Sequence, residues 1–111
     1  MGYERELLKG NTDCLLLCLI NRQPTYGYQI IKELERQSSG YFRFKEGTLY
    51  PALHRMEKDK LIKGRWRMLP NGQQRRYYYI TEKGQHVLAK RLTEWQGFST
   101  AVRLITQPET T

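Results

Sequence analysis

The chain is poor in the residues that build metal and redox centres. It has two cysteines and two histidines in 111 residues. Cys14 and Cys18 lie four apart in a strongly apolar stretch, so a helix places them on one face. There is no Cys-x-x-Cys, and His54 and His86 are far apart in sequence. No metal site is expected; both thiols read as buried core residues in a reducing cytosol. The sequence also lacks a paired-carboxylate site, a nucleophile–histidine arrangement and a phosphate-binding glycine loop, which argues against an enzyme and against any cofactor. Long hydrophobic runs are absent too. The longest, Cys14 to Ile20, is too short to cross a bilayer. The N-terminal MGYERELLKG is mixed in charge, unlike a signal peptide, and no Ser or Thr follows Gly2 where myristoylation needs one. A cytoplasmic protein is expected. Repeats, low-complexity tracts and internal linkers are missing, and only Thr106 to Thr111 read as a frayed tail.

What the chain has is positive charge in one place. The net charge is +8, from 19 Lys+Arg and 11 Asp+Glu. Residues 1–42 carry 5 basic and 5 acidic groups, residues 43–76 carry 10 and 3, and residues 77–111 carry 4 and 3. The middle third therefore holds +7 of the excess. A charge kept for solubility mixes signs and spreads out; one packed into a single segment implies a polyanionic partner. A membrane surface would want a long basic amphipathic helix, whereas much of this charge falls on predicted strands.

Periodicity places the elements. The first helix is predicted from about Glu4 to Ile20; its CLLLCLI half is apolar on every side and must be enclosed from several directions. Pro24 marks its end, and Thr25 is a candidate cap for a second helix, about Tyr26 to Gln37, with Ile30, Ile31 and Leu34 inward. Gly40 suits a left-handed exit. A third helix is predicted from Glu46 or Gly47 to about Asp59, with Leu49, Leu53 and Met56 inward; Pro51 is tolerable there if it lies in the first turn. Strands from Leu61 to about Leu69 and from Gln73 to Ile80 flank Pro70-Asn71-Gly72, a hairpin turn. Thr81 caps a long last helix to about Ile105. Its apolar positions Leu88, Leu92, Trp95, Phe98, Val102 and Ile105 alternate steps of four and three, the seam of a helix packed lengthwise on another.

The order of helix, helix, helix, strand, strand, helix gives a mainly α fold with a β-hairpin. It is a winged helix-turn-helix over residues 1–80 with an added long C-terminal dimerisation helix, 81–106, the two forming one compact unit.

The stretches LLKGNTDCLLLCLI, TYGYQIIKEL, GTLYPALHRMEKDKLI and RRYYYITEKG, in this order from Leu7 to Gly84, resemble the PadR family of bacterial transcription regulators. One departure is QQRRYYY, where that family often has a Gly-Arg-Pro-like approach to its tyrosines. The single long C-terminal helix resembles the short subfamily. That resemblance implies a homodimer formed through the first and last helices, with Leu8 of the first joining the seam residues Leu88, Leu92, Trp95, Phe98, Val102 and Ile105. It implies a repressor of nearby genes. It also implies that Trp95, with Leu15 and Phe98, lines a site where a planar aromatic effector is sandwiched between protomers; the alternative is that Trp95 simply packs the dimer.

Expected contacts to double-stranded DNA follow from the faces. On the third helix Thr48, Pro51, His54, Arg55 and Lys58 point outward. Thr48 also reads as a helix cap. Tyr50 lies between faces, with phosphate contact and inward packing both open. At the start of the second helix Tyr26 and Gln29 suit a phosphate, whereas Tyr28 reads equally as core. Lys63, Arg65, Arg67, Arg75 and Arg76 of the wing are expected on phosphates, which set affinity rather than sequence. Tyr77, Tyr78 and Tyr79 read as strand packing. Together these describe a sequence-specific regulator on an inverted repeat, released by the effector. The competing reading is a small-molecule-sensing dimer whose DNA binding is weak.

Overall fold

Residues 11–109 are described by the computed structural model. They form α1 (Thr12–Arg22), β1 (Thr25–Tyr26), α2 (Gly27–Gln37), α3 (Glu46–Lys58), β2 (Ile62–Met68), β3 (Gln74–Ile80) and α4 (Glu82–Thr106). The strands make one antiparallel sheet in the order β1-β3-β2. None of these helices is long and apolar enough to cross a membrane.

The core forms where the apolar stripes meet. Leu16, Leu17, Leu19 and Ile20 of α1 sit at its centre, against Ile30 and Leu34 of α2 and Leu49, Ala52, Leu53 and Met56 of α3. Leu61, Ile62 and Tyr78 close it from the sheet, and Leu88 from α4. Phe44 is also buried, so the connection between α2 and α3 is pinned to the core rather than loose.

Several expectations are corrected. The helix predicted from Glu4 starts at Thr12 among the described residues, with Asn11 as N-cap; positions 4–10, including the expected interface residue Leu8, lie outside them. Cys14 and Cys18 are half-buried at the edge of the core rather than enclosed. Thr25 does not cap α2. It is buried in a third strand, opposite Tyr78, and Tyr26 takes the cap position. A two-residue strand has no period to read, and it exists only because β3 supplies its hydrogen bonds.

Helix exits also differ in detail. α2 ends in a Schellman motif: the Ser39 N–H donates to the Arg36 carbonyl and the Gly40 N–H to that of Glu35. Both residues have positive φ, 53° for Ser39 and 82° for Gly40, so the left-handed exit begins one residue before the glycine. α3 ends the same way, with Lys60 at φ 64° and the Leu61 N–H on the Met56 carbonyl. Pro51 lies in the second turn of α3, not the first, so the Gly47 carbonyl lacks its ordinary helical donor. Thr48 is the third helical residue and not the cap, which is Lys45.

Thr81 does cap α4, accepting from the Gly84 N–H at 3.0 Å, while its own hydroxyl donates to the Lys60 carbonyl. The first turns of α4 join the core through Leu88, with Leu92 packed at its margin. Leu88 is therefore used up within the protomer, and the expected dimer seam begins no earlier than Leu92. From Thr93 on the helix is exposed apart from half-buried Ser99. The molecule is accordingly long, 65 × 29 × 23 Å.

Candidate nucleic-acid interface

α3 presents three different faces. Its buried face is fixed by Leu49, Leu53 and Met56. The exposed ridge directly opposite carries Gly47, Pro51, His54 and Lys58. Thr48 and Arg55 stand on the flank toward α1. There Arg55 forms an ion pair with Asp13 and shares a cleft with Thr12, Thr48 and Arg91. Both Thr48 and Arg55 remain exposed, with Arg55 also engaged by Asp13. Tyr50 stands on the flank toward the wing. A Cβ placed on Gly27 would lie 2.4 Å from its hydroxyl, so the glycine is what lets the Tyr50 ring close the α2–α3 contact.

The wing divides its cations between two faces. Side chains alternate along β2 and β3, and the register pairs Ile62 with Ile80, Trp66 with Arg76 and Arg67 with Arg75. The face turned to α3 carries Ile62, Trp66, Met68, Arg76 and Tyr78. Arg76 crosses over Gly64, places its guanidinium 5.5 Å from the Trp66 ring, and binds Glu57 of α3 at 2.5 Å. Beside the phosphate contact expected of it, Arg76 therefore fastens the wing to α3. Burial raises the Tyr78 phenol above its ordinary pKa, with the nearby Arg76 charge pulling the other way.

Lys63, Arg65, Arg67 and Arg75 share the opposite face with Tyr26, Tyr77 and Tyr79. Arg75 lies 3.9 Å from the centre of the Tyr26 ring, and Arg67 lies 4.4 Å from that of Tyr77 and hydrogen-bonds the Tyr79 hydroxyl. Arg67 and Arg75 face each other directly. Like charges opposed in this way destabilise a sheet, and the ring faces beneath them offset part of that cost.

Between α2, α3 and the wing runs an open groove of about 470 Å³, lined by Tyr26, Gly27, Tyr28, Tyr50, Trp66, Gln74, Arg75, Arg76 and Tyr78. Among the described residues no carboxylate lines it. Tyr28 is 60% exposed here, which removes its reading as core. Gln29 turns the other way, toward Arg22, Glu33 and Gln37, and donates to Glu33 at 3.4 Å. Tyr28 and Gln29 are one helical step apart, and the neighbouring elements decide which groove each one lines. Trp66 and Gln74 were missed as well. Their signal was present in the strand alternation that places them on the face of Arg76.

Residues 16–90 match the model of the "Transcriptional regulator PadR-like family". The chain belongs to the PadR-like family of transcriptional regulators. It is 33% identical over 90 residues to an uncharacterized protein of Lysinibacillus sphaericus, covering 81% of this chain and 83% of that protein. Among solved structures it resembles a PadR-like regulator of Bacillus cereus, with 36% identity and a TM-score of 0.83 over 94% of this chain and 99% of the other. A transcriptional regulator of Clostridium thermocellum superposes with a TM-score of 0.82 at 27% identity, over 92% and 99% of the two chains. A PadR-like protein is a regulator and not an enzyme, and DNA-binding regulation is the class of activity it carries.

Two rings stand apart from the groove. Trp95 and Phe98 on α4 are stacked with centroids 5.9 Å apart, 49% and 63% exposed. Val102, Leu104 and Ile105 continue the exposed apolar surface; of these, Leu104 lies off the predicted seam. Leu15, the third expected ligand residue, is half-buried against the core.

Proposed function

We propose that this PadR-like regulator is a cytoplasmic repressor that binds an inverted-repeat operator in double-stranded DNA as a homodimer. Residues 1–80 grip the duplex and the helix of residues 81–106 joins the protomers. The observation that carries this reading is the exposed ridge of α3 beside a hairpin free of carboxylates. Gly47 and Pro51 keep the ridge low, and His54 and Lys58 offer donors to guanine edges or phosphates. Thr48 and the free donors of Arg55 act at its margin, while Tyr26, Tyr50, Lys63, Arg65, Arg67 and Arg75 contact the backbone. Gln29 is the weakest member of the expected set, because it faces the opposite groove.

A homodimer accounts for the bare apolar end of α4. Two-fold symmetry then spaces the two copies of α3 about one duplex turn, roughly 34 Å, apart. Retardation of the DNA immediately upstream of its own coding sequence, measured at several salt concentrations, tests this. Specific retention with a steep salt slope is expected; equal affinity for unrelated duplexes at moderate salt would overturn it.

The exposed Trp95–Phe98 stack favours an added role in sensing. Paired across the dimer, these rings with Leu15 would sandwich a planar aromatic effector, whose binding changes the angle between the DNA-binding halves and releases the operator. The reading in which sensing dominates over DNA binding rests on the same rings. Quenching of tryptophan fluorescence by planar cationic dyes in the wild type, lost in Trp95→Leu, is the expected result; quenching retained in that variant counts against the site.

A further inference from the structure

We propose that Met68, backed by Trp66, is an apolar wedge that enters the minor groove and opens one base step, so that this regulator bends the DNA it binds. The proposal rests on the DNA-binding reading above. Apart from tyrosines, Trp66 and Met68 are the exposed large apolar side chains outside α4 among the described residues, at 62% and 72%. They sit two residues apart on one face of β2, opposite Arg76 and Gln74, and that face is the one turned to α3. Among the described residues no apolar surface covers them.

Charge says what does. From Lys60 to Thr81 the chain has six Lys and Arg and no Asp or Glu, so the pair is set in a purely cationic hairpin. An acidic surface is the complementary partner, and one that admits a thin apolar edge between phosphates is the minor groove. Proteins that work there pair such edges with cations, and methionine is among the side chains that wedge between bases. Its unbranched, polarisable thioether adapts to an opened step.

The hairpin is also aimed. Arg76 spans Gly64, where a Cβ would lie 2.6 Å from the guanidinium, packs beside Trp66 and binds Glu57 on α3. The wedge is thereby held at a set angle to the helix that reads the major groove. A fixed angle is what bending requires, since a hinged wing would follow the duplex instead. Steps that unstack easily, such as TA and CA, are the expected sites.

The experiment uses the full chain and the DNA upstream of its own coding sequence. Bend angle is read by circularly permuted fragments, and unstacking by 2-aminopurine walked through the flanks of each half-site. The wild type is expected to bend the duplex within the range of about 20–90° and to raise fluorescence at one step per half-site. Met68→Ser and the double variant Trp66→Ser/Met68→Ser are surface changes whose folding is checked by circular dichroism. They are expected to bind within about tenfold of the wild type while losing the fluorescence rise and most of the bend. Wild-type binding to a straight duplex, or an unchanged bend in both variants, overturns the wedge and leaves the DNA-binding reading standing. Failure of the wild type to select this DNA overturns both. Adsorption of the wild type to anionic vesicles, lost in Met68→Ser and without any bend in DNA, would assign the pair to a membrane surface and also overturn the wedge.

Discussion

Gly84 lies in the first turn of α4, where the backbone of Leu61 passes beneath it. A Cβ there would stand 2.1 Å from the Leu61 carbonyl oxygen and 2.8 Å from Ile80. Gly84→Ala must push the helix off the hairpin, and a loss of about 2–4 kcal/mol is expected in the urea midpoint. Lys60 is the reverse case. It occupies a left-handed position at φ 64° that a lysine holds at a cost. Lys60→Gly is expected to raise stability by up to about 1 kcal/mol, measured the same way, because glycine enters that region freely. Cys14 shows how burial acts on chemistry. Removal from water, then the neighbouring Cys18, pushes its thiol up from 9.0 to about 11. Since the folded value is the higher one, the associated stability is complete below pH 9.0 and falls as pH rises through about 11. Alkylation by iodoacetamide is expected to be slow at neutral pH, with its rate rising through a midpoint near the higher value.

At the scale of elements, the Glu57–Arg76 pair joins α3 to the wing. Both side chains are about a third exposed, so the pair itself is worth little, about 1 kcal/mol or less in a double-mutant cycle. Its consequence for function is larger. Glu57→Gln and Arg76→Gln are each expected to weaken operator binding several-fold, and the double variant no more than the worse single one. A double variant whose losses add would mean that the two act separately. This coupling was hidden in the sequence, where Glu57 reads as one acid in a basic helix and Arg76 as one more wing cation. Their partners are nineteen residues apart, and only the hairpin register over Gly64 brings them together. The helices themselves were legible, because Leu49, Leu53 and Met56 carry the period that buries them. β1 was not, since two residues have no period.

For the whole molecule, the exposed end of α4 is the surface on which the proposed homodimer is tested. Trp95, Phe98, Val102, Leu104 and Ile105 lie bare on a protomer with a radius of gyration of 16.3 Å, against about 13 Å for a compact chain of this size. Phe98→Glu/Val102→Glu places two charges on this surface without touching the buried core. Sedimentation is expected to show a monomer for that variant and a dimer for the wild type, with operator affinity lost in parallel. A wild type that sediments as a monomer at micromolar concentration would rule out the symmetric operator.

The sequence by itself determined the helical and hairpin order, the identity of the core stripes, the caps at Thr81 and the +7 segment, because each is written in local spacing, local propensity or composition. The tertiary structure alone decided which cations are engaged. Arg55 meets Asp13, Arg76 meets Glu57, Tyr28 rather than Gln29 enters the groove, and Leu88 goes to the core. Each of these depends on which element lies beside a side chain, and contacts between segments distant in the chain leave no periodic trace in it.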